Sequence, residues 1–280
     1  MPDAAVVARK LWPGRDPRVE PLSGGITNHN FRVDVDGEAF VLRIGGKDTE
    51  LLGIDRYAEY DASRNAAALG LGPEVVSFED GCLVTRFVPG TVGAPDPARV
   101  GQALRRLHDG PPLPTRFDSF RVVEIYCATA SEHGVPIPDA YGRAREIAAR
   151  IERERATVEP RPCHNDLLSA NFIDDGDRLW IVDWEYAGMG DPFFDLGNFA
   201  VNHDLDDAGE RALLGAYGSD DQRALVLMRF MSDFREAMWG VVQQGISELD
   251  FDFRGYADEH FERLARTAGD PRFRAALGGP

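Results

Sequence analysis

One stretch constrains this chain more than any other: Cys163-His164-Asn165-Asp166-Leu167-Leu168-Ser169-Ala170-Asn171-Phe172-Ile173, followed by Leu179-Trp180-Ile181-Val182-Asp183-Trp184-Glu185. A polar segment holding an acid, with an amide five positions on, runs into a short apolar strand. Asp174-Asp175-Gly176-Asp177 turns the chain, and a second apolar strand ends in another acid. Such a hairpin brings Asn171, at the mouth of one strand, close to Asp183, at the end of the other. An amide oxygen beside a carboxylate suits a hard cation such as Mg²⁺, and Asp166 sits one loop away, within reach of a hydroxyl. Asp, four residues, Asn, then a later Asp is the order of phosphoryl-transfer sites of the kinase type. His-x-Asp alone is a weak signal in an acidic chain; the full constellation with its hairpin is a specific one.

The rest of the chain divides around this stretch. Residues 5–12 read as a short helix. Phe31/Val33/Val35 alternate as a strand, Asp36-Gly37 is a tight hairpin turn, and 38–44 is the partner strand. The preceding loop, with Ser23, Gly24, Thr27 and Asn28, is rich in small, hydroxyl and amide residues whose backbone could approach a phosphate. It is neither a GxGxxG nor a Walker A motif. Arg43, near the end of its strand, is the cation expected at the nucleotide phosphates, and Glu59, on a helix expected over 51–69, is the acid expected to hold it. Lysine occurs only at Lys10 and Lys47, so an Arg in this role fits the chain's own bias. A second hairpin turns at Asp80-Gly81. A Gly/Pro-rich connector over 91–97 marks the boundary between a small sheet-rich lobe (1–90), expected to bind nucleotide, and a helical lobe (91–280), expected to carry catalysis and substrate. Val88, entering the connector, is the residue expected to meet an adenine edge.

Beyond the connector, helices are expected over 100–108, 139–156 and 221–247, the last with Leu225, Met228, Met231, Phe234, Met238, Val241 and Val242 as its apolar stripe, and a final one from Tyr256. Asp195 reads as an N-cap and as a buried acid able to accept from backbone amides of the Asp166 loop. The fold class is therefore α+β: a small antiparallel sheet with one long helix, then a mostly helical lobe.

A net charge of −16 argues against nucleic acid or an anionic membrane surface as partner and is compatible with a cationic substrate. No apolar run approaches the roughly 20 residues of a membrane span. The N-terminus lacks the features of a signal peptide, and three scattered cysteines fit reduced thiols in a cytoplasm.

With these residues laid out, the chain resembles the choline/ethanolamine kinase family, within the aminoglycoside-phosphotransferase-like kinases. The resemblance rests on residues 22–31 (LSGGITNHNF), 41–44 (VLRI), 104–108 (LRRLH), 164–171 (HNDLLSAN), 182–198 (VDWEYAGMGDPFFDLGN) and 239–247 (WGVVQQGIS). It implies a bilobal protein-kinase-like fold and an ATP- and Mg²⁺-dependent enzyme that phosphorylates the hydroxyl of choline or a related amino alcohol. Asp166 resembles the catalytic base, and Asn171 and Asp183 the metal ligands. Glu185, Tyr186, Glu236, Trp239, Phe251 and Tyr256 fall at positions around the substrate's ammonium group, which aromatic faces attract. Two positions depart from the family pattern: Glu236 stands where eukaryotic members carry a second Trp, and Asn202 replaces an acid. An aminoglycoside or other small-hydroxyl phosphotransferase is the alternative enzyme. A non-catalytic pseudokinase is the alternative class, although Asp166, Asn171 and Asp183 are all present.

Overall fold

A computed structural model describes residues 3–22, 28–46 and 49–278. The chain forms two compact units. The first combines Met1–Pro95 with Ser169–Tyr186; the second combines Asp96–Leu168 with Ala187–Pro280. Elements are numbered along the chain, across both units.

Unit 1 begins with helix α1 (Ala4–Leu11), whose first turn is capped by the Asp3 side chain accepting from Ala5 N. Strands β1 (Arg18–Pro21), β2 (Asn28–Val35), β3 (Glu38–Gly45), β4 (Val75–Glu79) and β5 (Cys82–Arg86) make an antiparallel sheet in the order β1-β2-β3-β5-β4. Asp36 and Asp80 take φ of 53° and 52°, each followed by a glycine at positive φ, the geometry that two-residue hairpin turns demand. One face of the sheet packs Val33, Val35, Phe40, Leu42, Ile44 and Val84 against Ala8 of α1, with Val7, Leu11 and Trp12 at the margin. The helix expected over 51–69 is split. A 3₁₀ turn over Thr49–Leu52 ends at Gly53 (φ 81°), and helix α2 (Arg56–Ala68) starts afresh with Asp55 accepting from Tyr57 N and Ala58 N.

The connector continues as β6 (Thr91–Val92). The segment Ser169–Tyr186 joins unit 1 as the expected hairpin, its strands being Phe172–Asp174 and Leu179–Ile181 (β8 and β9), in a three-stranded sheet ordered β6-β8-β9. Ile181 N donates to Leu71 O at 2.7 Å, and Gly93 N to Phe172 O at 3.3 Å, which fastens the hairpin to the first segment.

Unit 2 is helical: α3 (Pro97–His108), α4 (Ser119–Glu132), α5 (Ala140–Arg155), α6 (Pro192–Asn202), α7 (Asp207–Tyr217), α8 (Gln222–Ile246), α9 (Phe253–Gly269) and α10 (Pro271–Ala276). A short antiparallel pair, β7 (Arg161–Cys163) with β10 (Gly188–Gly190), brackets the hairpin insertion. Helix α8 is the core of the unit, packed against α4, α6 and α9. The expected stripe is buried, but so are most residues between its members, Asp233, Arg235 and Glu236 included. A helix covered on nearly all sides has no single apolar face. Two glycines set its spacing: a Cβ on Gly197 of α6 would stand 2.6 Å from Met228 C, and one on Gly240 of α8 would stand 3.0 Å from the Tyr256 ring. No described helix is long and apolar enough to cross a membrane.

Candidate active site

Unit 1 contains a cavity of about 390 Å³, within the range of small-molecule sites. Leu22, Val41, Leu83, Phe87, Val88 and Ile173 give it apolar walls; Arg43, Asn171 and Asp183 also line it. Val88, the residue expected to meet an adenine edge, is part of that wall. Asn171 ends a 3₁₀ turn, and its backbone carbonyl accepts from Val182 N at 3.0 Å. That bond ties the Asn171 end of the hairpin to the residue before Asp183. Asp183 takes φ 68°, a left-handed conformation uncommon for a residue with a Cβ and one that recurs where function fixes the backbone.

A run of buried and half-buried charges continues from Asp183. Arg43 Nη1 lies 2.8 Å from Glu59 Oε1 and 2.5 Å from Asp183 Oδ1. Arg56 Nη1 lies 2.7 Å from Glu59 Oε2 and 3.3 Å from Glu185 Oε2, and Asn28 Nδ2 donates to Glu185 Oε2 at 2.8 Å. Burial alone would lower the pKa of Arg43; the charges of Asp183 and then Glu59 outweigh it and hold the guanidinium above its usual value. Three carboxylates (Asp183, Glu59, Glu185) against two guanidiniums (Arg43, Arg56) leave one net negative charge. Asn171 and Asp183 offer the hard oxygen donors that Mg²⁺ takes, so the residues present fit that ion.

Other expected nucleotide residues fall differently. Ser23, Gly24 and Thr27 lie outside the described residues. Asn28 opens β2, buried, with its amide bound to Glu185. Glu185, expected near the substrate, and buried Tyr186 both belong to unit 1.

In unit 2 the Asp166 loop is held by its backbone. Asp195, fully buried, accepts from His164 N at 2.8 Å and Asn165 N at 2.7 Å. It is not the N-cap of α6; Asp191 is, accepting from Phe193 N, and Asp195 sits in the first turn. The expectation failed because two acids stand four apart and Pro192 fixes the first helical position after Asp191. His108 bridges Asp195 Oδ2 (3.1 Å) and Tyr217 Oη (2.9 Å). Asn198 accepts from Leu167 N at 2.5 Å and donates to Ser232 at 2.9 Å, and His203 bonds Leu167 O. Asn165 takes φ 68°. His108, Cys163 and Asp195 come together, but both Asp195 oxygens already accept amides and burial pushes the Cys163 thiol up. The cluster is scaffold for the loop.

The Asp166 side chain meets α8. Arg235 Nη1 lies 3.1 Å from Asp166 Oδ1 and 2.6 Å from Glu236 Oε1, and Tyr256 Oη donates to Glu236 Oε2 at 2.8 Å. Trp239 stands edge-on to Tyr256 (5.5 Å) and Phe253 (5.7 Å), the tilted arrangement aromatic pairs prefer. Phe251, more exposed at 44%, lies 6.1 Å from Tyr256. The structure therefore gathers Asp166, Glu236, Trp239, Phe251 and Tyr256 in unit 2. Arg235, Arg56 and Phe253 were missed by sequence reasoning. The available signal was a charged pair, Arg235-Glu236, inside an otherwise apolar helix.

Known proteins resemble this chain in sequence and in fold. The profile of the phosphotransferase enzyme family (APH) matches residues 18–231. The crystal structure of a choline/ethanolamine kinase family protein from Mesorhizobium loti superposes with a TM-score of 0.84 at 33% identity, covering 98% of this chain and 96% of that one. Protein LicA of Haemophilus influenzae is 30% identical over 69% of this chain, a match that spans only 61% of LicA's own length. Ethanolamine kinase 2 of Mus musculus is 26% identical over 95% of this chain and 81% of its own. A family profile that covers most of the chain, and a like-sized solved relative of the same fold, establish that the chain belongs to the phosphotransferase enzyme family and, within it, to the choline/ethanolamine kinase family.

Proposed function

We propose that the protein transfers the terminal phosphoryl group of ATP to the hydroxyl of a small amino alcohol of the choline and ethanolamine class. The observation that supports this reading lies within unit 2: Asp166 is linked by one guanidinium to a buried carboxylate that accepts from Tyr256, whose ring meets Trp239. A cationic head finds aromatic faces and net negative charge there. In unit 1 the apolar cavity suits a nucleobase, and Arg43 and Asp183 are the polar groups toward which phosphates would turn. Mg²⁺ held by Asn171 and Asp183 would supply charge neutralisation at those phosphates. Asp166 orients the acceptor hydroxyl and takes its proton.

The test is ADP release in the presence of Mg²⁺, measured against choline, ethanolamine, their methylated intermediates and aminoglycosides. Turnover with the amino alcohols is expected, and loss of at least about 10²-fold in kcat for Asp183→Ala, since positioning and charge neutralisation make up most of this chemistry. Wild-type rates in Asp183→Ala, or turnover of aminoglycosides alone, would overturn the assignment.

A further inference from the structure

The backbone of the Asp166 loop is fixed by Asp195 and Asn198, but neither touches the Asp166 carboxylate. Arg235 does. Its side chain is 2% exposed, on the central helix α8, 69 residues along the chain from Asp166. We propose that Arg235 is a positioning residue for phosphoryl transfer: it fixes the orientation and charge of the Asp166 carboxylate, and Glu236 with Tyr256 holds it in that role. The inference rests on the reading of Asp166 as proton acceptor and adds a control that the family resemblance does not assign.

A guanidinium stays charged even when buried beside a carboxylate. Arg235 Nη1, 3.1 Å from Asp166 Oδ1 and 2.6 Å from Glu236 Oε1, anchors that one Asp166 oxygen and makes Oδ1 the poorer proton acceptor of the two. In the reaction the hydroxyl O–H bond breaks as that oxygen bonds to phosphorus. The bond from phosphorus to the bridging oxygen breaks, ADP leaves with that electron pair, and the proton passes to Asp166. Before this step Asp166, Arg235 and Glu236 carry one net negative charge; after it Asp166 is neutral and Arg235 with Glu236 balance each other. Glu236 thus supplies the counter-charge that lets a buried guanidinium survive protonation of its other partner, which an isolated buried cation could not do cheaply. Tyr256 occupies the second oxygen of Glu236. Burial and then the Glu236 charge push its hydroxyl pKa up, so it remains a donor.

The experiment is a double-mutant cycle on the full-length enzyme, with kcat and KM for the amino alcohol and for ATP. Arg235→Met in the wild-type background is expected to lower kcat about 30-fold, with KM for ATP within about twofold, because orientation of a reacting group is worth at least this much. In the Asp166→Asn background the same change is expected to cost less than about twofold, since residues acting as one unit are non-additive. Arg235→Lys, which keeps a charged donor for Oδ1, should recover part of the lost kcat. Equal losses in both backgrounds, or a Lys variant no better than Met, would show that Arg235 merely supports the fold and would sink the inference. A wild-type enzyme that turns over no amino alcohol would instead overturn the functional reading, and this inference with it.

Discussion

Glu236 is tied into a charged chain that its position in the sequence does not reveal. Where a second indole would complete an aromatic cage, this chain has a carboxylate that is 2% exposed and bound to both Arg235 and Tyr256. Glu236→Trp would put a bulky ring into a packed helix and remove one of the two carboxylates bound to a buried guanidinium, a loss of about 3–5 kcal/mol when such a pair is broken. The expected result is a large fall in Tm, while Glu236→Gln keeps the shape and most of the stability; thermal denaturation of the two variants decides it. Trp239→Ala is expected to raise KM for the amino alcohol about 10-fold with a smaller change in kcat, since cation–π contacts of roughly 2 kcal/mol bind the head group before and during transfer alike. An unchanged KM in steady-state assays would remove Trp239 from the substrate site. Asp166, Asn171 and Asp183 were legible because their spacing is local, set by one loop and one hairpin. Arg235 and Arg56 were not: their neighbouring acids Glu236 and Glu59 mark only local charged pairs, and the partners that tie them to the site, Asp166 and Glu185, stand 69 and 129 residues away.

At the scale of elements, the α6–α8 contact does the positioning. Helix α6 carries Asp195 and Asn198, which grip the Asp166 loop, and α8 carries Ser232 and Arg235, which grip Asn198 and Asp166. Gly197 lies between the two α6 residues, and a Cβ there would stand 2.6 Å from Met228 C and 2.7 Å from Arg229 N, both backbone atoms that cannot swing away. Gly197→Ala must push the helices apart. Overpacking of this kind costs about 1–3 kcal/mol, a drop in Tm of roughly 5 °C for a protein of this size, and kcat should fall with it because the loop loses its alignment. A variant with unchanged Tm and kcat would show that the contact is loose. Helix α8 was readable from its long run of apolar residues, whereas α4 and α7 were not. The former is rich in β-branched and aromatic residues of middling helix propensity, and the latter is short and carries two internal glycines.

For the whole molecule, the point hidden from a linear reading is that unit 1 is not a contiguous piece of chain. Ser169–Tyr186 supplies β8 and β9, together with Asn171, Asp183 and Glu185. A fragment of residues 1–95 would keep Arg43, Arg56 and Glu59 but lose Asp183 and Glu185, so the buried network would change from one net negative charge to one net positive. It would also leave β6 without β8 and Leu71 O without its donor, Ile181 N. Buried cations without partners and unpaired backbone groups are each expensive. The expected outcome is that residues 1–95 alone show no cooperative thermal transition and no response to MgATP. The same fragment with 169–186 appended through a flexible Gly/Ser linker should regain a transition that MgATP raises. A ligand at 100 times its Kd adds about 2.7 kcal/mol, a rise in Tm on the order of 10 °C for a small unit. Calorimetry of the two fragments with and without MgATP makes the comparison. If residues 1–95 alone melt cooperatively and respond to the nucleotide, the returning hairpin is dispensable, and the placing of the nucleotide beside Asn171 and Asp183 fails with it.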